Sequence, residues 1–123
     1  MTLRLFVYGT LAPGRDAWAV LEPWVVGPAR PDAAAGCLYD TGHGYPGATF
    51  GSGPEPPGGL VHGFVVTLDP DLAPAALDVL DRYEGPEYAR IEVRTQAGCT
   101  AAAYAWIAPL TGCRPVAGGR WDD

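Results

Sequence analysis

The sequence has no lysine. All eight basic residues are arginines, and against fourteen acids they leave a formal net charge of −6. A protein that grips nucleic-acid phosphates needs a basic face, so nucleic acid is not an expected partner. Cysteine is scarce as well. Cys37, Cys99 and Cys113 are too few and too widely spaced for a disulfide framework or a CxxC redox or zinc motif, and they read as reduced thiols. No apolar run approaches the roughly 18 to 20 residues that carry a helix across a bilayer. No basic start leads into an unbroken apolar segment with a cleavage site either, because Arg4, Gly9 and Pro13 interrupt the beginning. A cytoplasmic setting with no membrane partner is the expectation.

What is present is a chain of 123 residues that is 48% hydrophobic and 18% charged, with 17 glycines and 13 prolines. That length fits one domain with one core, here residues 1–123, and the glycine and proline content favours short strands and many turns over disorder. Leu3 to Tyr8 is a strand candidate. Asp16 to Glu22 is compatible with a short helix, capped by Asp16 and stopped by Pro23. Trp24 to Val26 and Cys37 to Tyr39 read as separate strand pieces, and Asp40 to Gly59 as a long irregular connection crowded with breakers. Leu60 to Leu68 contains the buried-strand run Phe64-Val65-Val66. The best helix signal follows: Leu72, Ala76, Leu77 and Leu80 recur at helical spacing, Pro74 suits the first turn, and Gly85-Pro86 ends the pattern. Tyr88 to Thr95 alternates, Ala97-Gly98 turns, and Thr100 to Ala108 completes a hairpin. Trp121 is the one large anchor of the tail. Several short strands with one or two helices predict an α+β domain of barrel-like form.

Two segments draw chemical interest. In the first, Leu3-Arg4-Leu5-Phe6-Val7-Tyr8-Gly9-Thr10-Leu11, a buried strand accounts for the start but not for the abrupt glycine-containing turn. Such a turn leaves backbone N–H groups free to hold an oxygen anion. Its bland reading is a strand end with Tyr8 partly buried and Thr10 capping. The second is Glu84, at the carboxyl end of the strongest helix, where the helix dipole disfavours an anion. If Tyr83, Pro86 and Tyr88 shield it, desolvation favours the neutral acid, which then suits taking up a proton and returning it. The competing reading is a solvated acid neutralised by Arg82 or Arg90.

Other constellations are weaker. Cys37, His43, His62 and Cys99 show none of the intervals of a structural zinc site, so no metal is expected. No Gly-Lys-Ser/Thr follows the first turn, which excludes a phosphate loop. Between Gly51 and Gly59, Pro54, Pro56 and Pro57 lack the donors a phosphate cradle needs, and a mobile lid is the better reading.

Taken together, several motifs are similar to the γ-glutamylcyclotransferase-like, or AIG2-like, family. They are Phe6-Val7-Tyr8-Gly9-Thr10-Leu11, Gly36-Cys37-Leu38-Tyr39-Asp40, Tyr45-Pro46-Gly47, Val61-His62-Gly63, the stretch from Leu77 to Gly85, Tyr88-Ala89-Arg90 and Gly118-Gly119-Arg120-Trp121. The resemblance implies a small mixed β-barrel with one or two flanking helices. It also implies intramolecular aminolysis of a γ-glutamyl amide, releasing 5-oxoproline and a free amine without metal or organic cofactor. Carried over by position, Tyr8, Gly9, Thr10 and Leu11 would hold the γ-glutamyl group and Glu84 would be the acid/base, with Tyr45 and Tyr88 lining the pocket. Ala12 departs from the basic residue many relatives carry after the loop, and the stretch from Pro54 to Gly59 is particular to this chain. The leaving amine and the oligomeric state are not specified by these motifs. The alternatives are a binding or regulatory module that keeps the pocket without turnover, and a cysteine-dependent hydrolase.

Overall fold

Strand β1 (Leu3–Val7) explains its own near-continuous apolar run, because it is covered on both faces. Leu5 and Val7 belong to one core cluster, while Phe6 and the following Tyr8 belong to another. The computed structural model describes residues 3–51 and 59–121. Among these, β1 is followed by the one-turn helix α1 (Trp18–Leu21), β2 (Val25–Asp40), β3 (Pro46–Phe50), β4 (Leu60–Leu68), α2 (Ala73–Glu84), β5 (Tyr88–Arg94), β6 (Thr100–Trp106) and the short β7 (Arg114–Pro115). The strands form one sheet in the order β3-β2-β4-β1-β6-β5, with β7 on β2. All pairings are antiparallel except β1 with β6, where Leu5 faces Ala102.

The sheet curls into a nearly closed mixed barrel, the form the sequence implied. Closure brings β3 against the strands at the other end of the sheet. A Cβ on Gly47 would lie 2.8 Å from Trp106, and Tyr88 Oη donates to the Pro46 carbonyl. The inner cluster, centred on Phe6, Ala48, Val61, Val65 and Ala103, fills the barrel. The outer cluster lies where α2 lays Ala73, Ala76 and Leu80, one helical stripe, against Leu5, Val7, Val66 and Leu68. Leu80 is wholly buried, so truncating it to Ala would cost about 2–5 kcal/mol.

The fold departs from the sequence reading at three places. The two expected strand pieces are one strand, β2, whose register shifts between Val26 and Arg30, so an irregularity absorbs Gly27-Pro28 without ending the ladder. The supposedly irregular stretch after Asp40 holds β3, which has no alternating pattern because its small residues answer to the close approach of Trp106 and Tyr8. Helix α1 begins at Trp18 and has no side-chain cap, since a series of turn hydrogen bonds from Gly9 onward already leads into it. The lid expected between Gly51 and Gly59 lies, for residues 52–58, outside the described residues.

Candidate active site

The first turn is shaped by its carbonyls. The Ala12 N–H donates to the Gly9 carbonyl at 3.0 Å, and the Ala17 N–H to the Thr10 carbonyl at 2.9 Å. The N–H groups of Gly9, Thr10 and Leu11, in contrast, donate to no acceptor among the described residues. Three successive amides are thus left for a ligand or water, in a site where buried donors are normally paired. Of the two reasons a glycine offers in such a turn, unusual dihedrals and close approach, Gly9 is needed for the second. Its φ is not positive, but a Cβ would sit 2.7 Å from Pro46 Cγ, so close approach and not dihedral freedom selects glycine.

Across the cavity, α2 stops at Glu84. Gly85 takes φ 79°, a value that favours glycine, and its N–H closes the last turn on the Asp81 carbonyl. This leaves Glu84 at the negative end of the helix dipole, partly buried. Its carboxylate has no hydrogen bond or ion pair with the described residues, because Arg90 pairs with Asp81 instead, at 3.4 Å. Burial therefore pushes the Glu84 carboxyl up from 4.5 to about 7. The reading in which Arg82 or Arg90 neutralises a solvated glutamate is not what the fold builds.

Tyrosines make the walls. Tyr8 Oη donates to the Tyr104 carbonyl at 2.6 Å and accepts from the Ala48 N–H at 3.2 Å, which locks its ring between β6 and β3. Tyr88 Oη holds the Pro46 carbonyl, Tyr45 Oη donates to Glu87 Oε1 at 3.1 Å, and Tyr104 Oη donates to Asp81 Oδ1 at 2.6 Å. Burial raises the pKa of all four phenols, and the Glu84 charge adds to it in each case. They stay protonated, and their hydroxyls are committed to holding the cavity open.

The resulting cavity, of about 170 Å³, is lined by Tyr8, Gly9, Thr10, Leu11, Tyr45, Glu84 and Tyr88, so the residues carried over from the family resemblance border one space. Phe6, Val7, Pro46, Tyr83 and Tyr104 border it too. Pro46 and Tyr83 adjoin residues already singled out. Tyr104 had no comparable signal, since only the non-local β1–β6 pairing brings it in. None of the three cysteines lines the cavity, and no cluster of three metal-ligating side chains occurs among the described residues. No helix among them is long and apolar enough to cross a membrane.

The fold and this cavity define a class that comparison makes specific. Residues 5–123 match the family model for γ-glutamyl cyclotransferase, AIG2-like proteins, and the chain belongs to that family. It is similar to protein ytfP from Escherichia coli, with 33% identity over 98% of this chain and 97% of that one, at a TM-score of 0.55. An AIG2-like protein of Mus musculus shares the fold at 20% identity and TM-score 0.75, covering 98% of this chain and 88% of that one. YkqA from Bacillus subtilis shares it at 22% identity and TM-score 0.73, over 98% of this chain; the chain spans only 40% of YkqA. No curated protein matches the sequence.

Proposed function

We propose that the protein is a γ-glutamyl cyclotransferase that converts a γ-glutamyl amide or amine into 5-oxoproline and a free amine, with Glu84 as acid/base. The observation that carries this reading is the placement of Glu84, a carboxyl raised to about 7, in one cavity with the undonated N–H groups of Gly9, Thr10 and Leu11. The family membership agrees with it.

The reaction needs little from the protein, because the substrate carries its own nucleophile. The Glu84 carboxylate takes a proton from the α-ammonium group, and the freed amine attacks the γ-carbonyl carbon to close a five-membered ring. The carbonyl oxygen becomes an oxyanion, which the turn amides stabilise. As that oxyanion collapses, the bond to the leaving nitrogen breaks and Glu84 returns the proton to it; the ring nitrogen then sheds its second proton, which passes through Glu84 to the freed amine, so that the products are the neutral lactam and an ammonium. No water is consumed and no group stays on the enzyme. The raised pKa matters because an α-amine titrates near ~8, so a base at about 7 removes its proton at a far smaller penalty than an ordinary carboxylate. The locked tyrosines offer ring faces and a dry wall to the glutamyl carbon chain.

Release of 5-oxoproline from a panel of γ-glutamyl amides, with Glu84→Gln as control, tests the reading. Turnover by the wild type and none by the variant is expected. A panel bound unchanged would instead mark a binding module, and equal rates from both proteins would remove Glu84 from the mechanism.

A further inference from the structure

Glu84 is placed by something other than its own contacts. Its carboxylate bonds to none of the described residues, so its position over the cavity depends on how the last turn of α2 is docked. Asp81 lies one helical turn earlier, on the same side of the helix. Its carboxylate accepts the Tyr104 hydroxyl from β6 at 2.6 Å and faces the Arg90 guanidinium from β5 at 3.4 Å. The chain of bonds continues from the Tyr104 carbonyl to Tyr8 Oη and from there to the Ala48 N–H on β3. One run of hydrogen bonds therefore ties the helix end to the strands that carry the cavity walls, and it runs past Glu84 without using it.

We propose that Asp81 is a positioning residue that, by clamping α2 to Tyr104 and Arg90, holds Glu84 in the cavity facing the first turn. This rests on the acid/base role given to Glu84, but the placement itself is testable without turnover. Were the clamp released, the last turn of α2 would fray toward solvent and Glu84 would hydrate. Its titration would then move back toward the ordinary carboxylate range, whereas loss of fold stability alone would not move it. The charged and titratable groups around Glu84 are Tyr8, Tyr45, Tyr83, Tyr88 and Tyr104 on the walls, Glu87 beside Tyr45, and Asp81 with Arg90 behind it. Asp81→Asn removes the carboxylate but keeps an acceptor for the Tyr104 hydroxyl, so it separates any effect of charge from that of the clamp.

The experiment is a pH titration of the Glu84 carboxyl by carbon NMR of glutamate-labelled protein, with Glu84→Gln assigning the resonance, on wild type, Asp81→Asn, Asp81→Ala and Tyr104→Phe. Asp81→Asn keeps an acceptor for Tyr104 and is expected to titrate within a few tenths of a unit of wild type. Asp81→Ala is expected to fall by about one unit or more, and Tyr104→Phe by less. On an active substrate, the Ala variant should lose about tenfold or more in kcat with the Asn variant largely restored. Equal shifts in the Asn and Ala variants would overturn the proposal, since charge and not the clamp would then be at work. An unmoved titration in Asp81→Ala would overturn it too. Should no γ-glutamyl compound be turned over while the Asn and Ala titrations separate as stated, the cyclotransferase reading fails and the positioning role of Asp81 stands.

Discussion

Glu84→Gln is expected to abolish turnover and to make the protein more stable, and the stabilisation should grow with pH. In the folded state the carboxyl titrates at about 7, against 4.5 for an ordinary glutamate. Between these values the native protein holds a proton that the unfolded chain has released, so stability falls as pH rises. The favourable term is fully present below 4.5 and is lost as pH climbs through about 7. At about 1.4 kcal/mol per unit, the 2.5-unit difference between 4.5 and about 7 amounts to about 3 kcal/mol. That figure is a ceiling, because a side chain bordering an open cavity recovers part of its hydration when it ionises. Glutamine has the shape of the neutral acid and never ionises, so the variant escapes the loss. For a domain of this size the gain corresponds to a rise in Tm of up to about 10 °C near pH ~8.5, shrinking to little near pH ~4.5. Calorimetric melts of both proteins across that range read the effect directly, with no substrate. A Tm difference that stays constant with pH, or one that grows toward acid, would refute the desolvated-carboxyl account of the site.

Three further outcomes follow from the geometry. Tyr8→Phe strips the partner from both the Tyr104 carbonyl and the Ala48 N–H, and chemical denaturation should show a loss of about 1–3 kcal/mol. Gly9→Ala puts a Cβ 2.7 Å from Pro46 Cγ, so Pro46 must shift and the cavity wall with it; steady-state kinetics should show a raised KM and a lowered kcat, with the neighbouring Tyr88–Pro46 bond disturbed. Thr10→Pro deletes an N–H that no described residue uses, so 5-oxoproline release should fall by about 10²-fold with a much smaller change in Tm; equal losses of rate and stability would return the turn to a structural role.

What could be read without coordinates was local. The apolar run of β1 and the stripe Ala73, Ala76 and Leu80 on α2 follow from side-chain period, and Gly85 marks the helix stop because its backbone conformation excludes other residues. These features placed Glu84 at a helix end and the Tyr8–Leu11 turn at a strand end, while Tyr45 and Tyr88 were carried over from the family resemblance alone; all of them border the cavity. β3 was missed because a five-residue strand of small side chains is defined by its partners, Trp106 and β2, and not by any pattern of its own. Tyr104 was passed over for the same reason: only the parallel pairing of β1 with β6 carries it to the site. The sequence alone determined which groups the chain possesses and where each stands along its own strand or helix, because those depend on neighbours a few residues away. The tertiary structure decided that Arg90 binds Asp81 and leaves Glu84 unpaired, that the turn amides stay undonated, and that the carboxyl rises to about 7. Desolvation and pairing are set by everything packed around a group, and those neighbours come from all over the chain.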